Sequence, residues 1–184
     1  MNKIGEICVT MNYFEFYGIA ESFTVEQAAL KKKFYELSKL YHPDFYAGED
    51  EARQQEILEL STLNNKAYQV LTDPARRMEY ILKLHGLVSE GAKPQLPSDF
   101  LMEMMEINER LMEADDAAEL GRITAEVLAF ESDMNEKLTG LTNDYTELDH
   151  TAQQEKRIKI ADIYYRQKYL LRIKESLDTF AARL

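Results

Sequence analysis

The chain predicts an all-α fold in two helical modules, the second of them an antiparallel three-helix bundle. Three observations carry this. Apolar residues recur at steps of three and four, as at Leu30, Phe34, Leu37 and Tyr41. Turn formers are scarce, with 7 Gly and 4 Pro in 184 residues, and no β-branched run appears. A stretch rich in Pro and Gly, LVSEGAKPQLPS at 87–98, separates two sets of helical segments and reads as a linker.

The elements follow in order. MNYFEFYGI at 11–19 is an aromatic cluster closed by Gly18, a short helix or turn that packs by its rings. Ser22 and Thr24 offer capping oxygens, answered by Glu26 or Gln27, to a helix running to about Tyr41. His42-Pro43-Asp44 ends it, because proline pushes its predecessor out of the α region. A second long helix spans about Glu51 to Leu71 on a stripe of Ile57, Leu60, Leu63 or Asn64, Ala67 and Leu71. The short connection to it makes the two helices antiparallel. Thr72-Asp73-Pro74 stops it and opens a helix that ends at Gly86. Past the linker, Ser98 or Asp99 caps a helix over 100–112, with a break at 114–116. The next helix carries Leu120, Ile123, Val127, Phe130, Met134, Leu138 and Leu141 at near-heptad spacing. Residues 140–150 read as a loop. The last helix runs from about Ala152 to Ala181, with Ile163, Leu170, Ile173, Leu177 and Phe180 on one face.

Charge excludes several function classes. The net charge of −11 argues against nucleic acid or anionic lipid as the main partner. Residues 100–147 hold 3 basic and 13 acidic side chains, and residues 153–184 hold 8 basic and 4 acidic, so the last two helices should attract each other. The lone Cys8 excludes an internal disulfide, and His85 and His150 stand too far apart for a metal site. No apolar run reaches the roughly 20 residues of a membrane span. MNKIGEICVT is too polar for a secretory signal, so a cytoplasmic protein without membrane contact, cofactor or metal is expected.

The first module carries a specific pattern. LKKKFYELSKLYHPD and LNNKAYQVLTDPARRMEY resemble the second to fourth helices of the J-domain of DnaJ-type co-chaperones. Neither the Gly/Phe-rich segment nor the Cys-rich zinc module of general J-proteins follows. Tyr80-Ile81-Leu82-Lys83-Leu84-His85-Gly86 and Phe100-Leu101-Met102-Glu103 instead resemble the HscB family, the J-type co-chaperones of iron–sulfur cluster assembly. The resemblance spans residues 11–184 and thins after Met112. It implies a J-domain at 11–86, the linker at 87–98 and a client-binding bundle at 99–184. The missing four-cysteine element favours a bacterial-type member, and residues 1–10 have no counterpart.

Physically, Pro43 stiffens the turn and leaves His42 and Asp44 at a helix end, where Asp44 offers a charged acceptor to an arginine fork. The family assigns this tripeptide the contact that triggers hydrolysis by a DnaK-class, HscA-like ATPase chaperone. Lys31, Lys32, Lys33 and Lys39 would steer it to an acidic chaperone surface, or else form an ordinary solvated face. With no Ser, Cys or glycine-rich loop beside His42, the chain is expected to stimulate hydrolysis in another molecule and not to be an enzyme.

The bundle has more apolar faces than its core needs. On the helix at 100–112, Met104, Ile107 and Leu111 make one stripe, while Leu101, Met105 and Met112, with Met102 beside them, make another. The last helix adds Ile158, Ala161, Tyr165 and Tyr169. Such a surface is either deeper core or a partner face, and methionines adapt to partners. By resemblance it binds an IscU-type iron–sulfur scaffold protein through Leu101, Met102, Met105, Glu106 and Glu109, joined by Tyr165 or Tyr164. The rivals are a J-domain co-chaperone with a different client and a helical oligomerisation module whose HPD is vestigial.

Overall fold

The computed structural model describes residues 11–89, 91 and 95–181, all helices, 3₁₀ turns and irregular connections, with no strand among them. Part of the expected linker, Cys8 and the rest of 1–10 lie outside the described residues. The chain divides into two compact units, the first ending at Leu84 and the second beginning at His85.

The first unit opens with α1, Tyr13–Tyr17. Asn12 and Glu15 form a reciprocal capping box, and Gly18 closes the helix at φ 65°, the left-handed conformation glycine adopts without strain. α2 is Gln27–Leu40. Its start differs from the sequence expectation: Glu26 occupies the cap position and makes no side-chain cap. The Ser22 hydroxyl instead accepts from the Thr24 amide at 3.1 Å. The buried Arg77 explains this, because its Nε donates to the Phe23 carbonyl at 3.0 Å and pins the chain in a turn before the helix can begin. α3 is Glu51–Thr72, capped by Asp50, and α4 is Pro74–Leu84, entered through proline at its first position.

α2 and α3 are antiparallel. Gln27 donates to the Thr72 carbonyl, Phe34 stacks on Tyr68, and Asn64 donates to Ser38, so pairing falls along α3 as it rises along α2. Asn64 is 1% exposed yet satisfied: its amide donates to the Phe34 carbonyl and the Ser38 hydroxyl, and its oxygen accepts from the Tyr17 hydroxyl at 2.8 Å. One buried polar side chain thus ties α1, α2 and α3 together. Burial, with Tyr68 nearby, pushes the Tyr17 hydroxyl well above the usual phenol range.

The second unit comprises α5 (Ser98–Glu113), α6 (Ala117–Thr142) and α7 (His150–Ala181) around one apolar core. Phe100, Met104, Ile107 and Leu111 face Ile123, Val127 and Met134 and the Ile163, Leu170, Ile173 and Leu177 row. α6 and α7 are antiparallel, since Lys174 pairs with Glu131 at 2.9 Å, Gln167 with Asn135, and Lys156 with the Asn143 carbonyl. The expected attraction of acidic α6 for basic α7 is represented by the half-exposed Lys174–Glu131 pair, worth ~0–1 kcal/mol.

Three boundaries depart from expectation. Pro97 occupies the cap position of α5, so Ser98 is already helical and neither Ser98 nor Asp99 caps it. α6 continues through Gly140 to Thr142, where the Thr142 hydroxyl bonds the Leu138 carbonyl. α7 begins at His150, behind an Asp149 carboxylate that accepts from the Ala152 amide, so His150 is a helix residue and not a loop one. Between α6 and α7 a 3₁₀ turn at Tyr145–Glu147 is buried through Tyr145, whose hydroxyl accepts from the buried Arg157 at 2.5 Å.

Candidate functional site

The turn after α2 is built by its neighbours. His42 caps a 3₁₀ turn, Pro43–Tyr46, with proline at its first position. The Phe45 amide donates to the His42 carbonyl at 3.1 Å, closing the turn. Behind it, the Tyr46 hydroxyl donates to the Leu40 carbonyl at 2.9 Å, at the end of α2. The Gln54 amide of α3 donates to the Ala47 and Glu49 carbonyls at 3.3 and 2.8 Å. The backbone is therefore held from behind while its polar side chains meet solvent: His42 and Asp44 are 52% and 86% exposed.

Within the turn, His42 Nδ1 accepts from the Asp44 amide at 3.3 Å and lies 3.8 Å from the Asp44 carboxylate. The amide bond requires a lone pair on Nδ1, so the neutral ring carries its proton on Nε2, which remains a donor for another molecule. Asp44 remains an open carboxylate acceptor.

α2 carries the cations, Lys39 in its last turn beside this site and Lys31, Lys32 and Lys33 nearer its start. Lys31, Lys32 and Lys39 are exposed and share one helical face, while Lys33 sits half-buried at its flank. None of the four forms an ion pair among the described residues. Sequence reasoning missed the apolar component here. Tyr35, Leu40 and Phe45 are 61%, 53% and 68% exposed, and the Phe45 ring lies 5.5 Å from that of His42. An aromatic directly after the tripeptide was the visible signal.

In the second unit, α5 sorts its side chains cleanly. Met104 and Ile107 are 0% and 1% exposed, whereas Met102, Met105 and Met112 are 64%, 57% and 74% exposed. Leu101 is half-buried, and Glu106 and Glu109 are exposed on the same side. The second stripe of α5 thus lies outside the apolar core of its own unit. Arg110 is committed elsewhere, to Glu126 at 2.7 Å and Glu119 at 3.2 Å, which ties α5 to α6. Arg122 and Arg110 hold the Glu119 carboxyl below the usual glutamate range.

The expected companion row on α7 does not form one surface. Ile158 lines a groove of about 920 Å³ with Phe100, Phe130 and Met134, Ala161 is buried, and the Tyr169 ring meets Phe100 edge-on at 5.9 Å. Tyr164 is buried, with its ring against Tyr165. Tyr165 is half-buried, its hydroxyl 3.4 Å from the Leu87 carbonyl.

Comparison with known proteins agrees with both halves. A DnaJ domain matches residues 12–80, and an HscB C-terminal oligomerisation domain matches residues 96–178. A co-chaperone HscB homolog of Vibrio cholerae is 31% identical over 170 residues, covering 91% of this chain and 95% of that protein. The chain belongs to the HscB co-chaperone family. The iron–sulfur cluster co-chaperone HscB of Mus musculus is 35% identical over 130 residues, 70% of this chain, which spans 56% of that protein's length. Two solved HscB structures share the fold. The human protein has a TM-score of 0.65 at 29% identity, covering 95% of this chain and 84% of that one. The Vibrio cholerae protein has a TM-score of 0.58 at 29% identity, with 95% and 99% covered. The expected all-α architecture of J-domain plus HscB-type helical domain is therefore correct.

Proposed function

We propose that the chain stimulates ATP hydrolysis by a DnaK-class, HscA-like chaperone and delivers an IscU-type iron–sulfur scaffold protein to it, catalysing no reaction itself. The observation that carries the reading is the exposed His42-Pro43-Asp44 turn, rigidly backed, at the end of the α2 lysine face. Asp44 accepts from an arginine of the chaperone, His42 Nε2 donates to a chaperone oxygen, and Lys31, Lys32 and Lys39, with Lys33 at their edge, raise the encounter rate with an acidic surface. The scaffold docks on Leu101, Met102 and Met105, with Glu106 and Glu109 at the rim and Tyr165 adjoining. The working modules are 11–86 and 99–184, joined by 87–98, and the expected compartment is the cytoplasm. No helix among the described residues is long and apolar enough to cross a membrane.

Calorimetric titration of the full chain against each partner separately tests this. Saturable binding of both the chaperone and the scaffold is expected, and failure to bind the chaperone refutes the central role. The oligomerisation named in the matched domain's description favours a second reading, in which α5–α7 self-associate. Sedimentation of the full chain separates the two: a stable oligomer that does not take up scaffold supports self-association.

A further inference from the structure

We propose that Met102, Met105 and Met112 form an oxidation-sensitive site, at which conversion of thioethers to sulfoxides by a peroxide-class oxidant releases the scaffold protein. The inference rests on α5 being the scaffold-docking helix. Its observation is the sorting of methionines by exposure. On one helix, three are 57–74% exposed, while Met104 among them is 0% exposed, and Met134 of α6 is 4% exposed. A peroxide therefore reaches the three outer sulfurs and is kept from the two core ones. Steps of three and seven residues bring the outer sulfurs to one side of α5, so a single chemical event alters one surface.

The step is balanced with hydrogen peroxide as co-reactant. A sulfur lone pair attacks one peroxide oxygen, the S–O bond forms and the O–O bond breaks. The departing hydroxide takes up the proton left on the transferred oxygen and leaves as water. Sulfur loses two electrons and the peroxide gains them. The product is a polar, chiral group where an apolar, flexible one had been. Its oxygen is an acceptor. The charged side chains beside it, Glu106 and Glu109, are acceptors too, and Arg110 is already engaged by Glu126 and Glu119. The sulfoxide oxygen thus relies on water, and docking would strip that water without replacing its hydrogen bonds. The buried core keeps its thioethers, so the helix remains folded while its outer face changes character.

The test uses the full chain. Hydrogen peroxide is applied in graded doses and removed, and peptide mass mapping locates the added oxygen. The treated chain is then titrated calorimetrically against the iron–sulfur scaffold protein, with a thermal melt alongside. Expected are oxygen on Met102, Met105 and Met112 ahead of Met104 and Met134, scaffold binding at least about tenfold weaker, and an unchanged melt. A methionine sulfoxide reductase restores binding. A chain carrying Met102→Leu, Met105→Leu and Met112→Leu, which retains Cys8, is compared with its own untreated sample, and its scaffold affinity, whatever its starting value, is expected to change by less than about twofold on peroxide treatment. Oxidised parent that binds like the untreated chain overturns the proposal. So does an equal loss in the peroxide-treated leucine variant, which would place the sensitive group elsewhere. Untreated chain that does not bind scaffold overturns the docking reading itself, a result distinct from binding that peroxide leaves unchanged.

Discussion

Met104 and Met105 are neighbours in sequence with the same chemistry, and the structure assigns them opposite work. Met104 is fully buried among Ile107, Ile123 and the α7 row, and Met105 is 57% exposed. Met104→Ala removes buried apolar volume that the surrounding side chains refill only in part, a change that costs ~2–5 kcal/mol. For a unit of this size, ~2 kcal/mol lowers the melting temperature by roughly 8 °C or more. Met105→Ala removes atoms already largely in water and should cost within ~0.5 kcal/mol of stability. On the docking reading it instead weakens scaffold binding by about tenfold, the loss of one moderate interface contact. The assay is paired: thermal melting and calorimetric titration against the scaffold, run on both variants. A Met105→Ala chain that melts like Met104→Ala, or that binds scaffold as tightly as the parent, refutes the reasoning.

Three further outcomes are expected. His42→Gln abolishes stimulation of the chaperone ATPase in single-turnover hydrolysis while the melt stays within ~0.5 kcal/mol of the parent, since the side chain is half in water. Arg77→Met strips charge-assisted bonds from the Phe23 and Leu71 carbonyls and leaves both buried, lowering stability of the first unit by ~2–4 kcal/mol in denaturant titration. The Glu119 carboxyl, depressed first by Arg122 and then by Arg110, supports the fold above the usual glutamate range and loses that support as pH falls through its lowered value; Glu119→Gln should flatten the acid limb of a pH–melting profile.

Much of the fold was legible because its signals are periodic and local. The α6 stripe, read at steps of three and four from Leu120, places Ile123, Val127 and Met134 in the core, and Asp73-Pro74 marks the junction of α3 and α4. Boundaries set by distant partners were not legible. Nothing near Phe23 reveals that Arg77, 54 positions later along the chain, fixes the turn there and delays α2. Gly140 and Asn143 look like a loop, yet burial of Tyr145 with Arg157 compacts the connection and lets α6 run on to Thr142. At the sites, composition and spacing located the tripeptide and the outer methionines. They did not show that Gln54 and Tyr46 anchor the turn, because those bonds reach backbone carbonyls, which leave no pattern in sequence. Nor did helical spacing show that Ile158 joins the groove beside Phe100 instead of extending the Tyr165 face.

The central claim is that one chain couples scaffold capture to chaperone hydrolysis through two separate surfaces. Single-turnover ATP hydrolysis by the chaperone, measured with scaffold, with the chain, and with both, tests it most directly. The chain alone is expected to accelerate hydrolysis, and adding scaffold to accelerate it further. Met102→Ala with Met105→Ala should lose only the scaffold-dependent increment, and His42→Gln the whole effect. Equal rates with the parent chain and the His42→Gln chain, or a scaffold increment untouched in the double methionine variant, would contradict it.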